Sequence, residues 1–292
     1  MFAQFFAGYL FTNQYLTRQQ LLDGLKAMKR SRVKLGVLAM NAGYLTAEQI
    51  EEIHRKQEEV DMRFGELAVG LGYMSREQVE ELLSGQPSRH LLLAQALVDK
   101  EYMDNATFAK ALNEFRANYD LTDQDMTAMD DERAATFIER YYHLEKEKNA
   151  NALAEYIVLL FHNLIRFVGS DFVPVPMKTG TKCEDTVMLQ QKMTGILNMK
   201  TVLEADEITF IQLASRFAGE EIPVLDEYSK AAGQDLMNLQ NGLFLLHVAR
   251  EYEIELKLHP VRLTTGKSEL EMGMCCIPLM FSFGTVSYIL DR

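Results

Sequence analysis

The stretch Asp226-Glu-Tyr-Ser-Lys-Ala-Ala-Gly-Gln-Asp-Leu-Met-Asn-Leu-Gln-Asn-Gly242, which continues to Arg250, decides how the second half of the chain folds. It follows Pro223, opens with an acidic N-cap residue and contains no proline, so it predicts a long helix. Apolar residues recur at steps of three and four and predict a buried face. This face comprises Ala231, Ala232, Leu236, Leu239, Leu243 and Leu246.

A second stripe of the same helix is polar. Asp235, Asn238 and Gly242 are spaced i, i+3 and i+7, so they line up along one side of the helix. A carboxylate and an amide one turn apart, with a glycine beyond them, form a small surface that another backbone can approach closely. The spacing therefore predicts a site for a protein partner.

The run from Gly233 to Gly242 resembles the active helix of the CheC/CheX chemotaxis phosphatases, whose pattern is Glu-x-x-Asn followed by a glycine. The proline that this family carries about one strand later is matched by Pro260. These proteins remove the phosphoryl group from the receiver aspartate of a response regulator. The resemblance implies that Asn238 orients the attacking water and that Asp235 meets the lysine of the receiver. It also implies that Gln234 and Gly242 contact the partner.

Two positions depart from the family pattern. Asp235 stands where the family has glutamate, and Ala231 stands where it has a small hydroxyl or an acid. Aspartate keeps the charge but is shorter by one carbon–carbon bond, about 1.5 Å. Two interpretations therefore stay open, a slow aspartyl-phosphate phosphatase and a receiver-binding adaptor without catalysis.

Composition sets the class of protein. A chain of 292 residues predicts two domains, and a net charge of −12 argues against broad binding of nucleic acid. The three cysteines, Cys183, Cys275 and Cys276, have no zinc-site spacing and favour a reducing, cytoplasmic location. No apolar run approaches the roughly 20 residues that a membrane helix needs, so no membrane insertion is expected.

Residues 1–117 carry a repeat with a period of 29 residues, marked by Tyr15, Tyr44, Tyr73 and Tyr102. Two positions after each tyrosine stands a residue that favours a helix N-cap, namely Thr17, Thr46, Ser75 and Asp104. Glutamine three positions later completes a capping box in the first three units. The pattern predicts an all-helical domain of stacked helix–turn–helix units.

Two of these units resemble the N-terminal domain of pilus and type II secretion ATPases, where two copies of a motif that begins Arg-Leu-Gly and ends in Gln bind cyclic di-GMP. The copies here begin at Lys34-Leu-Gly36 and Arg63-Phe-Gly65. The resemblance implies a ligand site made of Lys34, Gly36, Gln57, Arg63, Gly65 and Gln86. A second interpretation is that the glycines permit close helix packing and that the charges are solvated.

Residues 118–148 predict a connecting helix and linker, and residues 149–292 predict an α+β domain. The domain begins with a helix over 153–168, a hairpin over 186–193 and 196–203, and a helix over 204–218. After the long helix, strands are predicted over 253–258, 261–264, 268–275, 277–283 and 285–290. This order resembles the CheX-type fold. The predicted fold class is α+β, with a helical repeat domain followed by a CheX-like domain.

The predicted function is a role in bacterial chemotaxis or two-component signalling, by binding and dephosphorylating a response-regulator receiver. A non-catalytic adaptor and a cyclic di-GMP sensor are the alternatives. The expected partners are the receiver domain and a second copy of the chain. No cofactor or metal of its own is expected, since magnesium would belong to the receiver; cyclic di-GMP is the candidate ligand.

Overall fold

The computed structural model describes residues 2–28, 30–85, 87–122, 125, 131–145, 147, 149–176, 183–268 and 275–291. The chain forms two compact units. The helical unit comprises Phe2 and Tyr9–Ala128. The sheet unit comprises residue 1, Ala3–Gly8 and Met129–Arg292. No helix in the described part of the chain combines the length and the apolar character that a membrane crossing needs.

The first eight helices alternate with short turns. They are α1 (Phe2–Thr12), α2 (Arg18–Met28), α3 (Leu35–Asn41), α4 (Ala47–Glu59), α5 (Phe64–Gly70), α6 (Arg76–Ser84), α7 (Arg89–Asp99) and α8 (Asn105–Tyr119). Helices α2, α4, α6 and α8 each begin directly after one of the predicted N-cap residues. In the box of α4, Gln49 N–H donates to Thr46 Oγ1 over 3.3 Å, and Thr46 N–H donates to Gln49 Oε1 over 2.8 Å. Equivalent pairs confirm the predicted boxes at Thr17 and Ser75.

The four tyrosines of the 29-residue period have a shared role that the sequence alone did not indicate. Each phenol donates a hydrogen bond to a carboxylate of another 29-residue repeat, and the repeats are paired reciprocally. The second and third units exchange Tyr44 to Glu81 (3.0 Å) and Tyr73 to Glu52 (2.6 Å). The first and fourth exchange Tyr15 to Glu114 (2.6 Å) and Tyr102 to Asp23 (2.7 Å). The carboxylate beside Tyr15 raises the pKa of its phenol to about 12.

The sheet unit contains four further helices and seven strands among its described residues. The helices are α9 (Asp131–Tyr141), α10 (Ala150–Phe167), α11 (Glu207–Ala218) and α12 (Glu227–Tyr252). The strands are β1 (Val173–Pro174), β2 (Cys183–Gly195), β3 (Met199–Asp206), β4 (Leu256–Leu258), β5 (Arg262–Ser268), β6 (Cys275–Phe281) and β7 (Gly284–Asp291).

All described strand pairs are antiparallel, in the order β1-β6-β7-β3-β2-β4, with β5 also paired to β2. The predicted hairpin is confirmed, because β2 and β3 pair from Thr186 opposite Asp206 to Met193 opposite Met199. Helices and an antiparallel sheet along one segment confirm the predicted α+β class. The strand predicted over 268–275 lies mainly outside the described residues.

Helix α11 begins three residues later than predicted, because residues 204–206 extend β3. Asp206 ends the strand and caps the helix, since its Oδ1 accepts the Thr209 N–H over 2.9 Å. The long helix α12 is capped in the same way by Asp226, whose Oδ1 accepts the Ser229 N–H over 2.9 Å. The predicted acidic N-cap is therefore confirmed.

The predicted buried face of α12 is partly wrong. Ala231 and Leu246 are exposed, and Leu246 retains 67% of its accessible surface. The reason is that the inward side of α12 carries polar as well as apolar residues. Its buried members are Ser229, Ala232, Gly233, Leu236, Met237, Gln240, Asn241, Phe244 and Val248. Gln240 and Asn241 are polar but lie on the inward side, so the apolar residues alone do not mark the buried face.

Candidate functional site

The outward stripe of α12 consists of Ala231, Asp235, Asn238, Gly242 and Leu246. Asp235 and Asn238 are exposed, and a side chain added at Gly242 would meet no atom within 4 Å. Gln234, beside this stripe, is half-buried. The structure thus brings Asp235, Asn238, Gly242 and Gln234 together on one accessible stretch of helix. Their assigned roles stay predictions.

Asn238 is held from below by strand β2. Gln191 Nε2 donates to Asn238 Oδ1 over 2.8 Å. The same nitrogen donates to the backbone oxygen of His259, also over 2.8 Å. The carboxamide of Asn238 is therefore exposed to a partner yet tied to the core.

Pro260 lies close to Asn238 in the fold, because His259, the residue before it, accepts a hydrogen bond from the same Gln191 nitrogen as Asn238. His259 follows β4, and its N–H donates to Lys192 O over 2.9 Å. Its ring Nε2 lies 2.9 Å from Thr194 Oγ1. The turn before Pro260 is thus fixed to β2 at three points, with the carbonyl of His259 aimed at the nitrogen that holds Asn238.

A buried polar network continues inward from Gln191. Asn241 Nδ2 donates to Gln191 Oε1 over 2.7 Å and to Thr201 Oγ1 over 2.8 Å. The Tyr156 hydroxyl donates to Asn241 Oδ1 over 2.7 Å. Such networks are rigid when every group has a partner and costly when one does not. Four elements, β2, β3, α10 and α12, therefore meet at the base of the outward stripe.

The chemistry available at the outward stripe is that of one carboxylate and one amide N–H group. The structure assigns Asp235 no hydrogen-bond or ion-pair partner among the described residues, and it assigns none to Asn238 Nδ2. Asp235 can pair with a cation of a partner, and Asn238 can donate to an oxygen atom. No group of three or more metal-binding side chains occurs in the described part of the chain.

Exposed apolar side chains border these polar groups. Leu246 lies two turns beyond Asn238, and Tyr228 lies two turns before Asp235 with 51% of its surface exposed. Ile208 of α11 is 71% exposed. It shares a stripe with Ile211, which packs with Ala232 of α12. Exposed apolar side chains bordered by polar groups are typical of a protein-binding surface.

Sequence reasoning missed Gln191 and Asn241. The signal was present in both cases. In β2 the inward positions alternate through Val187, Leu189 and Met193, and Gln191 falls on that same alternation. Asn241 likewise falls one helical turn from Met237 on the inward side of α12. A polar residue on an apolar period indicates a buried hydrogen-bond network.

A cavity lies within the helical unit. It has a volume of about 860 Å³, and its apolar lining includes Leu35, Phe64, Val69 and Val79. Arg63, Gly65 and Arg76 also line it. Glu66 and Glu80 line it as well, so two arginines and two glutamates share the lining. An arginine guanidinium can bind an anionic or a planar group of a ligand.

The six predicted ligand residues do not all line this cavity. Arg63 and Gly65 do, whereas Lys34 forms an ion pair with Asp99 over 2.8 Å. Gln57 Nε2 donates to Met62 O over 3.1 Å. A side chain at Gly36 would press on Phe64 and Ile50 at 3.2 and 3.3 Å, so this glycine serves close packing. Gln86 lies outside the described residues.

Comparison with known proteins yields no matching family model and no match among curated proteins. Solved structures with a similar fold include a CheC-like superfamily protein from Shewanella sp. PV-4, at 14% identity and a TM-score of 0.40, covering 48% of this chain and 95% of that one. Another is chemotaxis protein CheX from Vibrio vulnificus, at 14% identity and a TM-score of 0.39, covering 46% of this chain and 94% of that one. A third is the CheX-CheY-BeF3-Mg complex from Borrelia burgdorferi, at 14% identity and a TM-score of 0.37, covering 47% of this chain and 94% of that one. At these identities and TM-scores, the similarity supports no conclusion about the family, function or partners of this chain.

Proposed function

We propose that the sheet unit docks the receiver domain of a response regulator on the outward stripe of α12 and promotes loss of its aspartyl phosphate. The observation that carries the proposal is that Asn238 is exposed and at the same time anchored by Gln191. An exposed amide on a surface helix is ordinarily mobile. One held from beneath is preorganised to act on a bound group.

The reaction requires a positioned water and little covalent chemistry by the protein. The water oxygen bonds to phosphorus while the bond from phosphorus to the aspartate oxygen breaks. The products are a free carboxylate and dihydrogen phosphate, which carries the oxygen and both protons of the water. Asn238 donates to the water oxygen and holds it in line. Asp235 pairs with a cation of the receiver and fixes the docked geometry.

The test uses the full chain and the receivers of its source cell, each phosphorylated by a small phosphodonor and freed of it. Loss of the phosphoryl group is followed with and without the protein. We expect accelerated loss from one receiver or a small subset. Unchanged decay of every receiver would contradict the catalytic part of the proposal.

A receiver-binding adaptor is the second candidate, and the short Asp235 favours it. A displacement of about 1 Å at a reacting centre can cost about a hundredfold in rate. The adaptor binds a phosphorylated receiver with a measurable dissociation constant but leaves its decay unchanged. Titration of the receiver loaded with a phosphoryl mimic, beside the decay assay, separates the two functions.

A cyclic dinucleotide site in the helical unit is the third candidate, and the cavity beside Arg63 favours it. Calorimetry of the full chain with cyclic di-GMP tests it, with Arg63→Ala as the disabled variant. Arg55→Ala is the matched control, because Arg55 is exposed on α4 and does not line the cavity. Absence of heat at high micromolar ligand would exclude this function.

A further inference from the structure

Gln191 occupies an inward position of β2 and is buried, with 1% of its surface exposed. It lies opposite Thr201 of β3 and beneath α12. Burial of an amide is costly unless each of its polar groups finds a partner. The alternation of β2 predicts an apolar residue at this position, and a glutamine here lowers the stability of the fold unless its amide is fully hydrogen-bonded.

The hydrogen bonds of Gln191 fix the orientation of its own amide. A backbone carbonyl can only accept, so the group within 2.8 Å of His259 O must be the nitrogen of Gln191. The other hydrogen of this nitrogen goes to Asn238 Oδ1 over 2.8 Å. The amide oxygen accepts from Asn241 Nδ2 over 2.7 Å. Both hydrogens and the oxygen are used, and none could be exchanged without loss.

This arrangement dictates which atom of Asn238 faces solvent. Because Gln191 presents N–H, the carboxamide of Asn238 must turn its oxygen inward. Its Nδ2 consequently points outward, where the structure assigns it no partner among the described residues. A reversed Asn238 would place two amide nitrogens against each other.

We propose that Gln191 is a positioning residue for the reaction, which sets the orientation of Asn238 so that Nδ2 meets the water at a docked phosphoryl group. This inference rests on the proposed function of the outward stripe and names a residue outside the motif by which that stripe was found. Gln191 touches neither the water nor the receiver; it acts through Asn238.

The test compares Gln191→Met with Gln240→Met in the full chain. Gln240 is the matched control because it is also 1% exposed, and its Oε1 accepts from Asn163 Nδ2 over 2.7 Å. Both changes remove a buried amide and keep a side chain of similar length. Only the first removes the hold on Asn238.

We expect both variants to lower the melting temperature, because each leaves a buried partner without its hydrogen bond. Gln191→Met is expected to lower the maximal rate of receiver dephosphorylation about tenfold, with the half-saturating receiver concentration unchanged. Gln240→Met is expected to keep the maximal rate within about twofold of the wild type. Equal rates for the two variants would overturn the inference.

A second readout does not depend on activity. The side-chain amide signals of Asn238, assigned by their loss in Asn238→Asp, are expected to shift in Gln191→Met and not in Gln240→Met. Should Gln191→Met fail to fold, Gln191→Leu supplies the same test, because it removes the N–H with an apolar side chain that suits the inward alternation of β2. Unmoved signals in the folded variant would show that Gln191 does not orient Asn238.

The two proposals fail in different ways. If the wild type accelerates decay of no receiver, the catalytic function is wrong, and the amide signals still report whether Gln191 sets Asn238. If the wild type is active and Gln191→Met is equally active, the catalytic function stands and the role of Gln191 is wrong.

Discussion

Asp235 presents its carboxylate on a side chain one methylene shorter than the glutamate of the CheC/CheX pattern. It is exposed and the structure gives it no partner among the described residues, so nothing in the described site draws it inward. The predicted consequence is that Asp235→Glu raises the rate of receiver dephosphorylation by about a hundredfold, since it adds a reach of about 1.5 Å.

The measurement is phosphate release under single-turnover conditions, with the full chain in excess of the phosphorylated receiver. Glu251→Asp is the control, because Glu251 is exposed on the last turn of α12 and faces away from the stripe. A lower rate for Asp235→Glu would mean that the aspartate is fitted to its partner. It would contradict the interpretation of Asp235 as a shortened glutamate.

His90 makes the helical unit sensitive to mild acid. Burial, with a smaller effect of Arg116, lowers the pKa of its imidazole to about 4. The unfolded chain titrates at about 6.5, so stability is complete above that pH and is lost as the pH falls toward 4. The loss is expected to be about 2 kcal/mol at pH 5.

Denaturant unfolding of the helical unit in the full chain, at pH 7 and at pH 5, measures this loss. The variant His90→Gln keeps a neutral polar group and is expected to lose less stability between the two conditions. The carboxyl groups with a lowered pKa, such as Asp23 and Asp104, have unfolded pKa values near 4. They therefore contribute little to the change in stability between pH 7 and pH 5. An unchanged pH dependence in His90→Gln would contradict the assignment.

At the scale of the element, α12 contains two interior glycines in opposite environments. A methyl group at Gly233 would overlap the ring of Phe210, whereas one at Gly242 would meet nothing within 4 Å. Gly242→Ala is therefore expected to raise the free energy of unfolding by about 0.5–1 kcal/mol through helix propensity. Gly233→Ala is expected to lower it by about 1–3 kcal/mol through overpacking.

The larger change Gly242→Leu separates fold from docking. It is expected to leave the stability of the free protein near that of Gly242→Ala, because the position is open. It is also expected to weaken receiver binding at least tenfold, because the proposed docking brings the partner against the helix at this glycine. Calorimetric titration of the receiver measures both variants. Equal affinity for the two would place the docking surface elsewhere.

Periodicity predicted most elements, and it failed where polar residues lie inside. Helix α12, its acidic cap and the β2–β3 hairpin follow from local signals that sequence reasoning can use. The inward side of α12 does not, because Gln240 and Asn241 are buried by partners on other elements. The reciprocal tyrosine bonds were likewise hidden, since the period is visible in the sequence but Glu52 and Glu81 are distant in the chain.

At the scale of the whole molecule, the two units carry separate candidate sites. The sheet unit has the outward stripe of α12, and the helical unit has the cavity beside Arg63. Sequence motifs located both regions. The residues of the first share one helix, so their spacing alone places them on one stripe. The motifs predicted the second from residues on several helices, where burial of Gly36 and the ion pair of Lys34 depend on packing that no local pattern specifies.

The central claim is that a docked receiver meets Asn238 on the outward stripe of α12. The most direct test is the rate of aspartyl-phosphate loss with Asn238→Ala and with Asn113→Ala, an exposed asparagine in the middle of α8. We expect Asn238→Ala to lower the maximal rate by about a hundredfold at unchanged receiver affinity, and Asn113→Ala to match the wild type. Equal rates for the two variants, with an active wild type, would contradict the claim.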